Sequence, residues 1–322
     1  MANATLQEIA ERLKKAKNVA IFSHMRPDGD AFGSAFALSR ALDLLGIENT
    51  VYNESDKPSN LLFLIEKEKV ERSVAPGHDL YIALDSADDT RLGTLCDDFQ
   101  SAARKRIDTF NVDHHISNTR FAKYNFVKEC SANCMNVYSL ICLLGVTINK
   151  EIATFLLTGI LTDSGNFSHD DVTEEIFFIT ANLLKAGADI RKLNYELFKK
   201  QSKARAALYA DVMKGMRYAL DDKFAFIVIT QDLMKKHGAD IGMTEGFVDF
   251  PLNVETAEVS ASIMEMKPRQ YKISLRSKTY ADVNKVAGVY GGGGHVRAAG
   301  CMLFGELEEV IDKLRYTVSQ YL

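Results

Sequence analysis

The side chains best suited to chemistry are acidic residues and histidines that follow short apolar runs of the chain. The run Asn18–Ser23, for example, leads directly into a segment with one histidine and two aspartates. An isolated acid in such a place is usually a helix cap or a turn residue. Here the pattern occurs four times, with His24, Asp28 and Asp30, then Asp85, then Asp113, His114 and His115, and finally Asp163.

Four acidic sites in one domain favour a shared cation. Buried carboxylates repel one another and lose their hydration, and a bound cation relieves both costs. Carboxylate and imidazole donors without thiolate favour Mn²⁺, with Mg²⁺ or Fe²⁺ as alternatives, over a structural zinc ion. Six side chains exceed the needs of one ion but suit two, with one carboxylate bridging: His24, Asp28, Asp30, Asp85, His114 and Asp163. Two ions about 3.5–4 Å apart can hold a hydroxide for in-line attack at phosphorus, so the set predicts hydrolysis of a phosphoester or phosphoanhydride.

These residues, in this order, resemble the DHH phosphoesterase superfamily. The resemblance spans residues 23–166 and rests on Asp113-His114-His115 together with the acids and the histidine named above. It implies one metal ion held by His24, Asp28 and Asp85, and a second held by Asp30, Asp85, His114 and Asp163, with Asp85 as the bridge. It also implies that Asp113 orients an imidazole and that His115 faces the substrate near the leaving oxygen.

A second motif lies towards the C-terminus, where Gly291–Gly294 precedes His295. Exposed amides of consecutive glycines can form a concave site for phosphate or carboxylate, and a flexible turn is the alternative for the run alone. The segment resembles the DHH-associated C-terminal domain, whose GGGH motif binds substrate. That resemblance covers about residues 220–322. It implies substrate-binding roles for Gly293, Gly294, His295 and Arg276, with the arginine as a clamp for phosphate or carboxylate.

The elements that must position these residues alternate between strands and helices. Strands are predicted at 18–23, 48–52, 80–84 and 106–112, and helical patterns dominate from 133 to 186. Such alternation is typical of a parallel sheet covered on both faces. Strands predicted at 224–229, 258–265 and 270–275 include a hairpin. We therefore predict an α/β fold with a parallel-sheet catalytic domain at 1–188, a helical connector at 189–219 and a smaller α/β domain at 220–322. His78, in a polar turn-like stretch, is expected at the surface.

Composition limits the partners and the compartment. The 322 residues carry a net charge of −4, which argues against a protein that coats long nucleic acid. Residues 1–190 carry a net charge of −8, and residues 191–322 a net charge of +4. No apolar run is long enough for a transmembrane helix, and the N-terminus lacks a signal-peptide pattern. The five cysteines suit reduced thiols. We expect a cytoplasmic protein without a membrane or long-duplex partner, and leave a homodimer open.

Several substrates remain open at this stage. The likeness to family members of the nanoRNase and pAp-phosphatase type implies hydrolysis of short oligoribonucleotides, linear dinucleotides and 3′-phosphoadenosine 5′-phosphate (pAp). A cyclic-dinucleotide phosphodiesterase shares both domains but often carries membrane and sensory segments. An inorganic pyrophosphatase or exopolyphosphatase shares the metal-binding half without the GGGH segment. A non-catalytic nucleotide-binding regulator is expected to have lost metal ligands, and here all six positions are present. The first substrate class is therefore preferred.

Overall fold

Two units make up the computed structural model, one ending at Lys200 and the other running from Gln201 to Leu322. The structure describes residues 2–105 and 107–322. The division falls inside the segment predicted as a connector. Helix α8 (Ile190–Asn194) and a π-helix (Tyr195–Lys199) therefore belong to the first unit, and α9 (Lys203–Lys214) belongs to the second.

A parallel sheet forms the centre of the first unit. In the described part of that unit it has six strands in the order β1-β6-β5-β4-β2-β3. The strands are β1 (Ala2–Asn3), β2 (Asn18–Ser23), β3 (Glu48–Tyr52), β4 (Leu80–Leu84), β5 (Asp108–Asp113) and β6 (Tyr124–Val127). The predicted parallel sheet is confirmed. The short β1 and β6 were missed because neither contains a clear apolar run, and Arg106, the predicted start of β5, lies outside the described residues.

Helices cover this sheet on both faces. They are α1 (Leu6–Leu13), α2 (Gly29–Leu44), α3 (Leu62–Ile65), α4 (Cys96–Arg104), α5 (Asn133–Leu144), α6 (Lys150–Asp163) and α7 (Glu174–Lys185). Successive strand residues point to opposite faces. Val19 and Ile21 of β2 accordingly join the larger core beneath α2, α5 and α6. Phe22, on the other face, contacts Phe99 of α4 with its ring. This double coverage explains why β2 and β4 read as unbroken apolar runs.

The second unit contains a mixed sheet. Across residues 201–322 its order is β11-β12-β10-β9-β8-β7, with β8 and β9 parallel and the other neighbours antiparallel. The strands are β7 (Arg217–Ala219), β8 (Phe224–Ile229), β9 (Val259–Lys267), β10 (Gln270–Ser277), β11 (Gly293–His295) and β12 (Ala298–Phe304). The further helices are α10 (Gln231–His237), α11 (Val283–Gly288) and α12 (Leu307–Ser319). The predicted β9–β10 hairpin is present.

The glycine run is not a simple turn, because part of it forms an edge strand. Gly293–His295 pair with β12 as β11. A Cβ atom on Gly292 would lie 2.2 Å from the carbonyl oxygen of Gly300, and one on Gly294 would lie 2.4 Å from that of Ala298. Close backbone approach therefore requires glycine at these two positions, independently of any ligand.

The prediction of a surface position for His78 is wrong. Its side chain is buried, with 6% of the residue exposed. One ring nitrogen lies 2.8 Å from the Tyr52 hydroxyl and the other lies 2.7 Å from Asn18 Oδ1. Polar neighbours in sequence gave no sign of these two partners, which come from distant strands. No helix among residues 2–105 and 107–322 is both long enough and apolar enough to span a bilayer.

Candidate metal centre

Three adjacent strands of the parallel sheet end at the candidate site. His24 follows β2, Asp85 follows β4, and Asp113 ends β5, with His114 and His115 directly after it. Because β2, β4 and β5 are neighbours and run parallel, their carboxyl ends lie at one edge of the sheet. Sheet topology thus brings together residues up to 91 positions apart in the sequence.

Asp28 and Asp30 lie at the start of α2 and combine structural and site roles. Asp28 caps the helix, because its Oδ1 accepts the backbone N–H groups of Asp30 and Ala31, each at 3.0 Å. Its other oxygen is free to face the site. Asp30 is fully buried and accepts the N–H groups of Asn133 at 2.5 Å and Cys134 at 2.9 Å, at the N-terminus of α5. The alternative interpretation, with Asp30 as the N-cap and Asp28 as a turn residue, is wrong, because Asp28 is the cap; that role is compatible with a place in the site.

Asp163 reaches the site from the last position of α6, a helix and not a strand. Close packing of α6 against α2 places it there. A Cβ atom on Gly33 of α2 would lie 2.7 Å from the carbonyl oxygen of Phe155, and one on Gly159 of α6 would lie 2.6 Å from Asp30 Oδ1. Only glycine permits this approach of the two helices. Neither glycine was predicted to have this role, although each interrupts an otherwise helical pattern.

The side chains form a compact cluster centred on Asp85. Its Oδ2 lies 3.5 Å from His24 Nε2, and its Oδ1 lies 3.3 Å from His114 Nε2. His24 Nε2 is also 3.7 Å from Asp28 Oδ2. On the other side, His114 Nε2 lies 3.6 Å from Asp163 Oδ2 and 3.9 Å from Asp30 Oδ2. Each oxygen of Asp85 thus faces a separate group of donors.

Hydrogen bonds at Nδ1 fix the ring orientation of His24 and His114. His24 Nδ1 lies 2.9 Å from the carbonyl oxygen of Met25, and His114 Nδ1 lies 2.8 Å from that of Cys130. A carbonyl only accepts, so each Nδ1 carries a hydrogen, and Nε2 is the nitrogen that faces the carboxylates. Once it gives up its proton, Nε2 is the atom available to coordinate a metal ion.

His115 is held by a different partner. Its Nδ1 donates to Asp113 Oδ1 at 2.8 Å, and the other oxygen of Asp113 accepts from Asn118 Nδ2 at 2.6 Å. Asn118 also donates to the carbonyl oxygen of Ser86 and to Asn111 Oδ1. Asn118 was not among the predicted site residues. The available sequence signal was its position three residues after His115, in the loop that leads from β5 to β6.

Burial and the close approach of several carboxylates shift the pKa values of the side chains in the cluster. Burial raises the pKa of Asp30 and of Asp163, and neighbouring carboxylates raise both further. Burial also opposes ionisation of Asp85, but His114 and His24 outweigh it and hold the pKa of Asp85 well below its usual range. Burial alone would lower the pKa of both histidines, but the facing carboxylates raise each instead. Protons therefore occupy places that a divalent cation would take.

The donor atoms fit divalent metal ions. Within the described residues, three groups have ligand atoms within 4.8 Å of one another: His24, Asp28 and Asp85; Asp30, His114 and Asp163; and Asp85, His114 and His115. Asp85 Oδ1 and His114 Nε2 are buried, and neither has a hydrogen-bond partner among the residues that the structure describes. Buried polar atoms rarely stay unpaired. A bound cation would satisfy both at once.

Backbone strain accompanies this arrangement. Asp85 has a φ of 55°, a conformation that costs free energy for any residue other than glycine. The strain turns the side chain between the two histidines immediately after β4. Such strain persists only where the surrounding structure enforces it, as the buried contacts of Asp85 do here.

The residues predicted to bind substrate lie together in the second unit. Arg276 of β10 pairs in register with Ala298 of β12, and Ala298 pairs with His295 of β11. Arg276 and His295 thus occupy equivalent positions on the two strands that flank β12. Gly293, Gly294 and His295 are exposed. The Nε of Arg276 lies 3.2 Å from Asp249 Oδ1, and the two side chains form an ion pair. More than a third of the arginine side chain remains exposed to solvent.

Comparisons with known proteins agree with this description. Residues 18–160 match the model of the DHH family N-terminal domain, and residues 221–322 match that of the DHHA1 domain. A bifunctional oligoribonuclease and PAP phosphatase, NrnA, of Thermus thermophilus is 34% identical over 98% of this chain and 93% of its own length. A probable NrnA of Streptococcus mutans is 26% identical over 95% of this chain and 97% of its own.

A solved structure gives the same result for the fold. An exopolyphosphatase-related protein from Bacteroides fragilis superimposes with a TM-score of 0.84 at 27% identity, covering 98% of this chain and 96% of that one. Both domain models and the full-length likeness agree with the sequence motifs and with the acidic cluster at the sheet edge. The chain belongs to the DHH family of phosphoesterases and carries a C-terminal DHHA1 domain.

Proposed function

We propose that this chain hydrolyses short oligoribonucleotides, linear dinucleotides and pAp, using two divalent metal ions, with Mn²⁺ preferred. The observation that carries the two-ion part is the placement of Asp85. Its two oxygens face two different histidines, and each histidine has its own further carboxylates. A single ion could neutralise the carboxylates beside His24 or those beside His114, and the other set would remain without a cation. A bridging carboxylate between two ions satisfies both groups.

In this proposal His24, Asp28 and Asp85 hold one ion, and Asp30, Asp85, His114 and Asp163 hold the other. Bound ions of this kind lower the pKa of water and neutralise charge on a phosphoryl group. The carbonyl oxygens behind the rings hold a hydrogen on each Nδ1 and so direct each Nε2 towards the place of an ion, which would displace the Nε2 proton on binding. Asp113 orients His115, and when the ring carries a second proton its Nε2, on the far side from Asp113, can donate a hydrogen bond to the leaving oxygen.

The substrate class rests on the relatives. Two relatives that align along nearly their whole length carry the names oligoribonuclease and PAP phosphatase. The second unit has the arginine and the glycine–histidine segment expected to hold an anionic substrate. Short anionic substrates also agree with the net charge of +4 over residues 191–322.

Metal stoichiometry tests the two-ion part. The wild-type chain is expected to bind two Mn²⁺ ions per chain in titration calorimetry, and His24→Ala and Asp163→Ala to retain one tight site each. His237→Ala is the control, because His237 is paired with Asp211 in the second unit. A single Mn²⁺ site in the wild type, lost in both variants, would contradict a two-ion centre.

A substrate panel tests the activity. The purified chain with Mn²⁺ would be given pAp, linear dinucleotides, a five-residue RNA, cyclic dinucleotides and pyrophosphate. We expect turnover of pAp, linear dinucleotides and the five-residue RNA. Asp28→Ala and His114→Ala should abolish this turnover and leave the circular dichroism spectrum unchanged. Exclusive turnover of pyrophosphate or of cyclic dinucleotides would replace this proposal with the corresponding alternative.

A further inference from the structure

A short loop after β10 presents an exposed aromatic ring. Tyr280 lies in the segment 277–281, between Arg276 and the start of α11, and 56% of the residue is exposed. Large apolar surface in water is unfavourable. A mobile loop could turn the ring inward, so exposure of the ring indicates a role only if the loop is held in place.

A buried carboxylate holds this loop. Glu258, with 5% of the residue exposed, accepts through Oε1 the backbone N–H groups of Tyr280 at 2.7 Å and of Ala281 at 2.9 Å. The N–H of Thr279 also donates to Oε1, at 2.9 Å, and its hydroxyl donates to Oε2 at 2.6 Å. Charge-assisted bonds from three consecutive residues to one carboxylate are strong and leave the loop backbone little freedom.

The loop also lies against the segment that follows His295. The N–H of Ser277 donates to the carbonyl oxygen of Arg297 at 3.1 Å, and Arg297 Nη1 donates to that of Ala281 at 2.9 Å. Val296, between His295 and Arg297, is 49% exposed. The exposed ring thus belongs to a surface that also carries an apolar side chain, two arginines and a histidine.

We propose that Tyr280 is a stacking platform for a nucleobase of the substrate, with Glu258 as the positioning residue that holds its loop. This rests on the proposed function and assigns a residue to the base of its nucleotide substrate. Aromatic faces bind bases of any sequence by stacking, and neighbouring cations bind the attached phosphate. Arg276 supplies a cation next to the loop. An inorganic polyphosphate has no group that could use the ring.

Kinetics of full-length variants provide one test. Loss of a stacked base typically costs about 1–3 kcal/mol, so Tyr280→Ala should raise KM for pAp about 5- to 140-fold and leave kcat within a factor of about three. Tyr280→Phe should behave as wild type. Glu258→Ala should raise KM similarly, whereas Glu258→Gln, which keeps an acceptor oxygen, should raise it less. A Tyr280→Ala enzyme with unchanged KM overturns the proposal.

Binding provides a test that does not depend on turnover. The chain has no tryptophan, so Tyr280→Trp introduces a single fluorescent reporter at the platform. AMP should quench it saturably, and ribose 5-phosphate, which lacks the base, should not. Tyr316→Trp on α12, where the native ring is 70% exposed, is the control and should respond to neither. Equal quenching by both ligands overturns stacking, while absent pAp turnover with AMP quenching intact would contradict only the proposed function.

Discussion

Replacing Gly33 with alanine tests whether the contact between α2 and α6 sets the geometry of the site. The added Cβ would lie 2.7 Å from the carbonyl oxygen of Phe155 and 3.0 Å from Cys134 Sγ. The first distance is about 0.7 Å shorter than the 3.4 Å at which ordinary contact begins. The obstructing atom belongs to a helix backbone and cannot rotate away, so the helices must separate.

The expected cost follows from that overlap. Overpacking of a tight core typically costs about 1–3 kcal/mol. For a unit of this size each kcal/mol shifts the melting temperature by about 2–4 °C, so Gly33→Ala should melt about 2–12 °C below wild type. Asp30 and Asp163 lie on the two separated helices. A displacement approaching 1 Å between catalytic groups can reduce kcat about 100-fold, and a fall of at least about tenfold is expected here.

Thermal unfolding by circular dichroism and steady-state hydrolysis of pAp provide the measurements. Gly288→Ala is the matched control, because apart from its chain neighbours and its own helix backbone no heavy atom among the described residues lies within 4 Å of the added Cβ. It should leave kcat unchanged and alter stability by less than about 1 kcal/mol. If Gly33→Ala melts within about 1 °C of wild type and keeps its kcat, the contact does not set the geometry.

Three further outcomes are expected. Asn118→Ala should lower kcat for pAp about 10- to 100-fold with little change in KM, because Asp113 loses the donor that helps it hold His115; a purely structural role would instead lower only the melting temperature. His78→Phe should cost about 1–3 kcal/mol by removing the ring nitrogens that pair with the Tyr52 hydroxyl and with Asn18 Oδ1, without affecting turnover. Burial lowers the pKa of His78 in the folded chain, so the wild type should lose stability relative to His78→Phe as pH falls below about 6.5. If the difference in free energy of unfolding between the two proteins, measured by urea melts, is constant from pH 8 to 5.5, this expectation is wrong. Chelation of divalent ions should abolish hydrolysis and lower the melting temperature, because the buried carboxylates then repel one another; a melting temperature unchanged by the chelator, in a protein first loaded with Mn²⁺, would argue against the proposed centre.

Much of the first unit could be predicted because its signals are local. A strand buried on both faces must be apolar throughout, and β2 and β4 were therefore visible as runs of five or six residues. The acids directly after them could be assigned to one sheet edge, since parallel strands of a doubly covered sheet share their carboxyl end. The sequence alone thus determined the α/β class, the family and the identity of the six candidate ligands.

The tertiary structure decided what depends on contacts between distant segments. The burial of His78, the approach of α2 to α6 at Gly33 and the hydrogen bond from Asn118 to the carbonyl oxygen of Ser86 each join residues whose sequence neighbours do not reveal the partner. The same is true of Glu258, which was predicted to begin a strand and which holds a loop 21 to 23 residues later in the chain. Local patterns report burial and turn geometry, but which polar groups meet is fixed only when the chain packs, because a hydrogen bond requires two partners within about 3 Å.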